Sequence, residues 1–142
     1  MNEKKRVLIL CTGNSARSQM AEGLLQGIGG DKFAVESAGV APSSVRPEAI
    51  EAMCEIGIDI STHRSKSADE FVGQNFDYII TVCDNAKETC PVFPGNATRI
   101  HQSFEDPPPE TTLDYESRLK IFRRVRDEIR DWLNLFISQY KG

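Results

Sequence analysis

Cys11 opens the run Cys11-Thr-Gly-Asn-Ser-Ala-Arg17-Ser18, in which five residues separate a thiol from a guanidinium. The run follows the apolar Val7-Leu8-Ile9-Leu10 and leads into Gln19-Met20-Ala21-Glu22-Gly23-Leu24-Leu25. That order reads as strand, tight loop and helix. A loop entering a helix aims unpaired backbone N–H groups at its own mouth, and the helix dipole adds positive potential there. Gly13 permits the tight turn, and Asn14 tolerates left-handed backbone and can tie the loop through its amide. The backbone of Thr12, Gly13, Asn14, Ser15, Ala16, Arg17 and Ser18 therefore forms a cup for a tetrahedral oxyanion. Arg17 would fork onto two of its oxygens, with the Cys11 sulfur beneath the central atom. The same field favours thiolate, so Cys11 is expected to titrate within the ~3.5–7.5 range of such sites. Ser18 can donate a further hydrogen bond to the sulfur. The chemistry implied is nucleophilic attack on phosphorus or arsenic.

The elements that position this cup alternate along the chain. Val7–Leu10 is apolar without alternation, the pattern of a strand covered on both faces. A first helix is expected from about Ser18 to Ile28, with Met20, Leu24 and Ile28 on its inner stripe and Gly29-Gly30 stopping it. A second strand spans 33–38. A second helix begins at Pro47, with Ala49, Ile50, Met53, Cys54 and Ile56 facing inward until Gly57. A short helix at 68–71, strands at 78–82 and 97–101 and a long amphipathic helix from about Glu116 complete the order. Leu119, Phe122, Val125, Ile129, Trp132, Phe136 and Tyr140 form the stripe of that last helix. Arg123, Arg124, Arg126 and Arg130 alternate with acids on it and read as a solvated face. The fold class is α/β: a single domain over residues 1–142, with a four-stranded parallel sheet and helices on both faces. Chemistry in such sheets gathers at the carboxyl ends of the strands. Cys11, Cys83 and Asp106 follow the first, third and fourth strands and fall on that rim.

Composition narrows the function classes. With 142 residues and a net charge of −4, the chain suits one soluble domain and disfavours nucleic-acid or membrane-surface partners. No apolar run approaches the ~18 residues of a membrane span, and Met1-Asn-Glu-Lys-Lys-Arg6 shows no signal-peptide pattern, so a cytoplasmic protein is expected. In a reducing compartment the four cysteines, Cys11, Cys54, Cys83 and Cys90, read as catalytic or buried rather than as a disulfide framework. Cys54 reads as structural. His63 and His101 have no ligand spacing to the cysteines, so no metal site is expected. A monomer is the default for so compact a chain.

Taken together, Cys11-X5-Arg17-Ser18 and Asp106-Pro107 resemble the low-molecular-weight protein tyrosine phosphatase family. The match is closer to its thioredoxin-coupled arsenate reductases. Ser37-Ala-Gly39, Gly57-Ile-Asp-Ile-Ser61, Cys83-X6-Cys90-Pro91, Phe104-Glu-Asp-Pro107 and Arg124-Val-Arg-Asp-Glu-Ile129 extend the resemblance over nearly the whole chain. The resemblance implies reduction of arsenate to arsenite, with phosphate or sulfate as competing anions and no bound cofactor. Cys11 would attack arsenic, Asp106 would protonate the leaving hydroxide, and a Cys11–Cys83–Cys90 disulfide relay, regenerated by thioredoxin, would supply two electrons. Two readings stay open beside it. One is a phosphatase hydrolysing phosphomonoesters, which leaves the cysteine pair unexplained. The other is a non-catalytic oxyanion-binding or redox-responsive module.

The chain departs from that family in places. Ala16 stands where these reductases commonly have a further cysteine, and three prolines follow Asp106. Asn14, Glu22 and Ser37 match positions of a potassium site found in some relatives. Lys66 stands where an aspartate would complete it, so no potassium dependence is expected. Independently of any family, a helix from 83 to 90 would rise ~10.5 Å, whereas a disulfide needs Cα atoms within ~7 Å. Oxidation is therefore expected to unwind that segment.

Overall fold

The computed structural model describes residues 4–82, 97–109 and 111–139. Cys83, Cys90, the expected helix between them and Tyr140 lie outside the described residues. The elements run β1 (Lys5–Cys11), α1 (Arg17–Gly29), β2 (Phe33–Gly39), α2 (Pro47–Cys54), a 3-10 turn (Ala68–Phe71), β3 (Tyr78–Thr81), β4 (Thr98–His101) and α3 (Tyr115–Gln139). The strands form one parallel sheet in the order β2-β1-β3-β4. Val7, Leu8, Ile9 and Leu10 are all fully buried. Successive strand residues point to opposite faces, so both faces of β1 are covered.

The order places a crevice where it is needed. From β1 the chain crosses one way to β2 and the other way to β3, and the carboxyl end of β1 lies at that switch. Cys11 pairs with Gly39 across the β1–β2 edge. Beyond β4, Gln102 N–H donates to the Thr81 carbonyl and Phe104 N–H to that of Val82. These bonds lead residues 102–106 across the end of β3 toward the cup. The fourth strand thus delivers Asp106 although β3 separates it from β1.

Helices α1, α2 and α3 pack against one another. Met20 and Leu24 of α1, Ala49 and Met53 of α2, and Phe122, Val125 and Ile129 of α3 are fully buried in one core. Pro47 occupies the first turn of α2, where its missing N–H costs nothing.

Three expectations about faces are corrected. Cys54 is exposed rather than inward. The buried face of α2 is Glu48, Ala49, Ala52 and Met53, because a charged residue, Glu48, turns inward and rotates the stripe away from Cys54, while Ile50 stays partly buried against the core. Ile28 is 39 % exposed rather than on the inner stripe with Met20 and Leu24. Arg126 is buried rather than solvated, sharing the inner stripe of α3 with Leu119 and Leu133. Its guanidinium donates to the Ala52 carbonyl at 2.8 Å and to Glu55 at 3.1 Å, closing the C-terminal end of α2.

Candidate active site

The loop between β1 and α1 is held from outside by its neighbour. N–H groups of Val40, Ala41, Ser43 and Arg46 donate to the carbonyls of Cys11, Thr12, Gly13 and Ser15. In a trans peptide the next N–H points opposite to the carbonyl. Each outward carbonyl therefore turns the following N–H, at Thr12, Gly13, Asn14 and Ala16, toward the cup. The Asn14 N–H does this visibly, lying 3.2 Å from the Cys11 sulfur. Asn14 adopts φ 48°, the left-handed turn that closes the ring. Helix α1 adds to the positive potential, because its N-cap, Ala16, offers no side-chain cap and no acid occupies its first turn.

Gly39 makes the close approach possible. A Cβ there would lie 2.5 Å from the Thr12 carbonyl oxygen and 2.9 Å from the Asn14 nitrogen. Both contacts are with backbone, so no side-chain rotation relieves them.

Beneath the cup a buried polar network orients the groups around the sulfur. Asn14 Oδ1 accepts from the Lys66 N–H at 2.8 Å and from Gln19 Nε2 at 2.9 Å. Its amide nitrogen therefore faces the two hydroxyls, donating to Ser18 Oγ at 2.7 Å and Ser37 Oγ at 2.9 Å. Ser18 Oγ, having accepted that bond, keeps its own hydrogen for the Cys11 sulfur 2.8 Å away. Ser37 donates to Glu22, and Gln19 Oε1 lies 3.0 Å from His63 Nδ1. A hydroxyl and a backbone N–H are thus both directed at the sulfur of Cys11, which is 3 % exposed.

Lys66, buried at 9 % exposure, puts its ammonium 2.7 Å from Glu36 and 3.5 Å from Glu22. An ammonium in contact with Glu22 occupies the neighbourhood a monovalent cation would need, and it cannot ligate one. The residues present do not fit a potassium site. Among the described residues no cluster of histidine, cysteine and acidic side chains could hold a metal ion.

On the mouth side, Arg17 donates to the Phe104 carbonyl at 3.1 Å and pairs with Asp106 at 3.3 Å. Its side chain is 12 % exposed and that of Asp106 is 78 % exposed. The carboxyl group thus stands at the open rim while the guanidinium is seated inside. The structure brings together Cys11, Thr12, Gly13, Asn14, Ser15, Ala16, Arg17 and Ser18, and joins Asp106 to them through Arg17. Sequence reasoning missed Gln19, His63 and the bracing by residues 40–46. Polar Ser18, Gln19 and Glu22 set among Met20, Ala21, Leu24 and Leu25 were the available signal for Gln19; His63 and residues 40–46 carried none.

The comparisons with known proteins agree with this arrangement. The low molecular weight phosphotyrosine protein phosphatase family matches residues 6–141, and the chain belongs to it. An arsenate reductase of Halalkalibacterium halodurans is 45% identical over 97% of this chain and 99% of its own. A solved arsenate reductase in its phosphate binding state superposes with TM-score 0.71 at 33% identity, covering 95% of this chain and 98% of that one. A thioredoxin-dependent arsenate reductase of Corynebacterium glutamicum superposes with TM-score 0.66 at 29% identity, over 97% of this chain and 65% of that one. Within that family the chain is thus similar to arsenate reductases over nearly its whole length.

Proposed function

We propose that arsenate is reduced here by a three-cysteine relay, Cys11 to Cys83 to Cys90, with thioredoxin as the final reductant. The observation that carries the first step is the sulfur of Cys11 held between the Ser18 hydroxyl and the Asn14 N–H inside an oxyanion cup. Arsenate enters with its oxygens on the N–H groups, and Arg17 turns from Asp106 to grip two of them. Cys11 thiolate then forms a sulfur–arsenic bond. The arsenic–oxygen bond opposite breaks, and Asp106 supplies the proton that lets hydroxide leave as water.

The second step moves electrons. Cys83 thiolate attacks the Cys11 sulfur; a disulfide forms, and the sulfur–arsenic bond pair stays on arsenic, which drops from the +5 to the +3 state and leaves as arsenite. Cys90 attacks the Cys83 sulfur, so the disulfide moves to Cys83–Cys90 and Cys11 is free again. A dithiol reductant then takes the oxidising equivalents away. Support for Cys83 and Cys90 comes from their spacing and family resemblance, and support for thioredoxin from the Corynebacterium relative. Such a relay belongs in a reducing compartment, and we assign the protein to the cytoplasm. No described helix is long and apolar enough to cross a membrane.

The phosphatase reading keeps the same cup but ends in hydrolysis. Coupled turnover separates the two. Arsenate should drive NADPH oxidation through thioredoxin and thioredoxin reductase, and a glutathione–glutaredoxin couple should not replace them. Rapid hydrolysis of an aryl phosphate without any reductant, and no arsenate-dependent NADPH oxidation, would reject the relay.

A further inference from the structure

Among the described residues between His101 and Tyr115, the segment carrying Asp106 has no strand or helix of its own. Carbonyls along its described part nevertheless rest on three arginines from elsewhere in the chain. Arg17 holds that of Phe104, Arg46 that of Pro108 at 2.9 Å, and Arg118 those of Thr112 and Leu113 at 3.2 and 2.9 Å. Two of the three converge on one carboxylate. Glu48, 1 % exposed, accepts from Arg46 at 2.6 Å and from Arg118 at 2.8 Å through the same oxygen, Oε2. Burial alone would push the Glu48 carboxyl up; the hydrogen bond from Arg46, that from Glu48's own backbone and that from Arg118 together more than offset it and hold it below its ordinary value.

Two further features show that this arrangement is imposed on the segment. Leu113 sits at φ 57°, a left-handed conformation strained for an ordinary side chain, and Arg118 grips its carbonyl. Arg46 also touches the nucleophile loop directly, its backbone N–H donating to the Ser15 carbonyl at 2.9 Å. One residue thus bonds the cup with its backbone and the acid-bearing segment with its guanidinium. Phe122 braces that guanidinium from below, 4.9 Å from its ring centre.

We infer that Glu48 is a positioning residue for the acid: by locking Arg46 and Arg118 it fixes residues 104–109 and 111–114 relative to the cup, and so fixes where Asp106 meets the leaving hydroxide. This rests on the reading of Asp106 as the proton donor. A displacement of about 1 Å can cost about 100-fold in rate, and a general acid contributes about 100-fold or more. Glu48→Gln keeps the shape, removes the charge and so weakens the hold on both arginines.

The test is a single turnover of the full, reduced chain at saturating arsenate, with inorganic phosphate as the probe of the cup. Glu48→Gln should slow the chemical step about 10- to 100-fold while phosphate affinity stays within about twofold, because the cup's own donors are untouched. Arg46→Lys keeps a charge beside Glu48 but lacks the fork that reaches Pro108 as well; it should show the same split, and it decides the matter if Glu48→Gln does not fold. In an Asp106→Asn background Glu48→Gln should add less than about twofold. Parallel loss of phosphate affinity, a full further slowing on top of Asp106→Asn, or unchanged rates in both folded variants would overturn the inference. An Asp106→Asn protein as fast as the original would instead overturn the acid reading itself, and the positioning role with it.

Discussion

Replacing Ser18 by alanine is the sharpest probe of how the fold prepares its nucleophile. In the native protein the Ser18 hydroxyl lies 2.8 Å from the Cys11 sulfur and the Asn14 N–H lies 3.2 Å from it. Alanine removes the nearer donor and leaves the other. A hydrogen bond to a charged group is worth about 1.5–3 kcal/mol, and about 1.4 kcal/mol corresponds to one pH unit. The thiolate of Ser18→Ala should therefore need about one to two pH units more alkali. The same change strips Asn14 Nδ2 of one acceptor, a buried loss worth about 1–3 kcal/mol of stability. Ser37→Ala serves as the control, since it costs Asn14 its other acceptor without touching the sulfur. The assay is the rate of iodoacetamide alkylation at Cys11 against pH, read on the Cys11 peptide by mass spectrometry. Ser18→Ala should shift the midpoint upward while Ser37→Ala leaves it within about 0.3 units. Equal shifts in the two variants would show that loop integrity, not the hydroxyl, sets the thiolate, and the reasoning would fail.

Gly39→Ala should disable the cup, because its Cβ would sit 2.5 Å from the Thr12 carbonyl oxygen; phosphate binding should weaken at least tenfold in a protein with native circular dichroism. Asp106→Asn should slow formation of the Cys11–arsenic adduct about 100-fold or more with phosphate affinity nearly unchanged, measured by rapid quench. Potassium and sodium should support equal arsenate turnover, since the Lys66 ammonium already sits 3.5 Å from Glu22; activation by potassium of more than about twofold would refute this. Acid stability gives another check. Glu48 titrates below its ordinary value of 4.5 in the fold, so its contribution is complete above the unfolded value and disappears as pH falls through the folded one. Thermal unfolding of Glu48→Gln should accordingly depend less on pH than the original between about pH 5 and pH 3.

Most of the fold was legible because it is written in local pattern. The unalternating Val7–Leu10 run announces a strand covered on both faces, and Pro47 marks the start of α2. The cup was legible for the same reason: Cys11, Gly13, Asn14 and Arg17 are close in sequence, and each residue type has one structural use there. The bracing was not. Arg46 meets Pro108 across 62 residues, and Lys66 meets Asn14 across 52. Both are bonds between a side chain and a backbone group, which leave no periodic trace. Sequence pattern also misjudged two helix faces, assigning Arg126 to solvent and Cys54 to the core. Both errors have one cause: a charge with buried partners can occupy the inner stripe of a helix, as Glu48 and Arg126 do, and an apolar neighbour is then turned outward.

The relay itself is tested most directly by mapping thiols after one turnover. Fully reduced protein is mixed with one equivalent of arsenate without reductant, free thiols are alkylated, and peptides are identified by mass spectrometry. The account predicts one Cys83–Cys90 disulfide per arsenite released, with Cys11 and Cys54 alkylated. Four alkylated cysteines alongside released arsenite would contradict it, as would a disulfide that excludes Cys83.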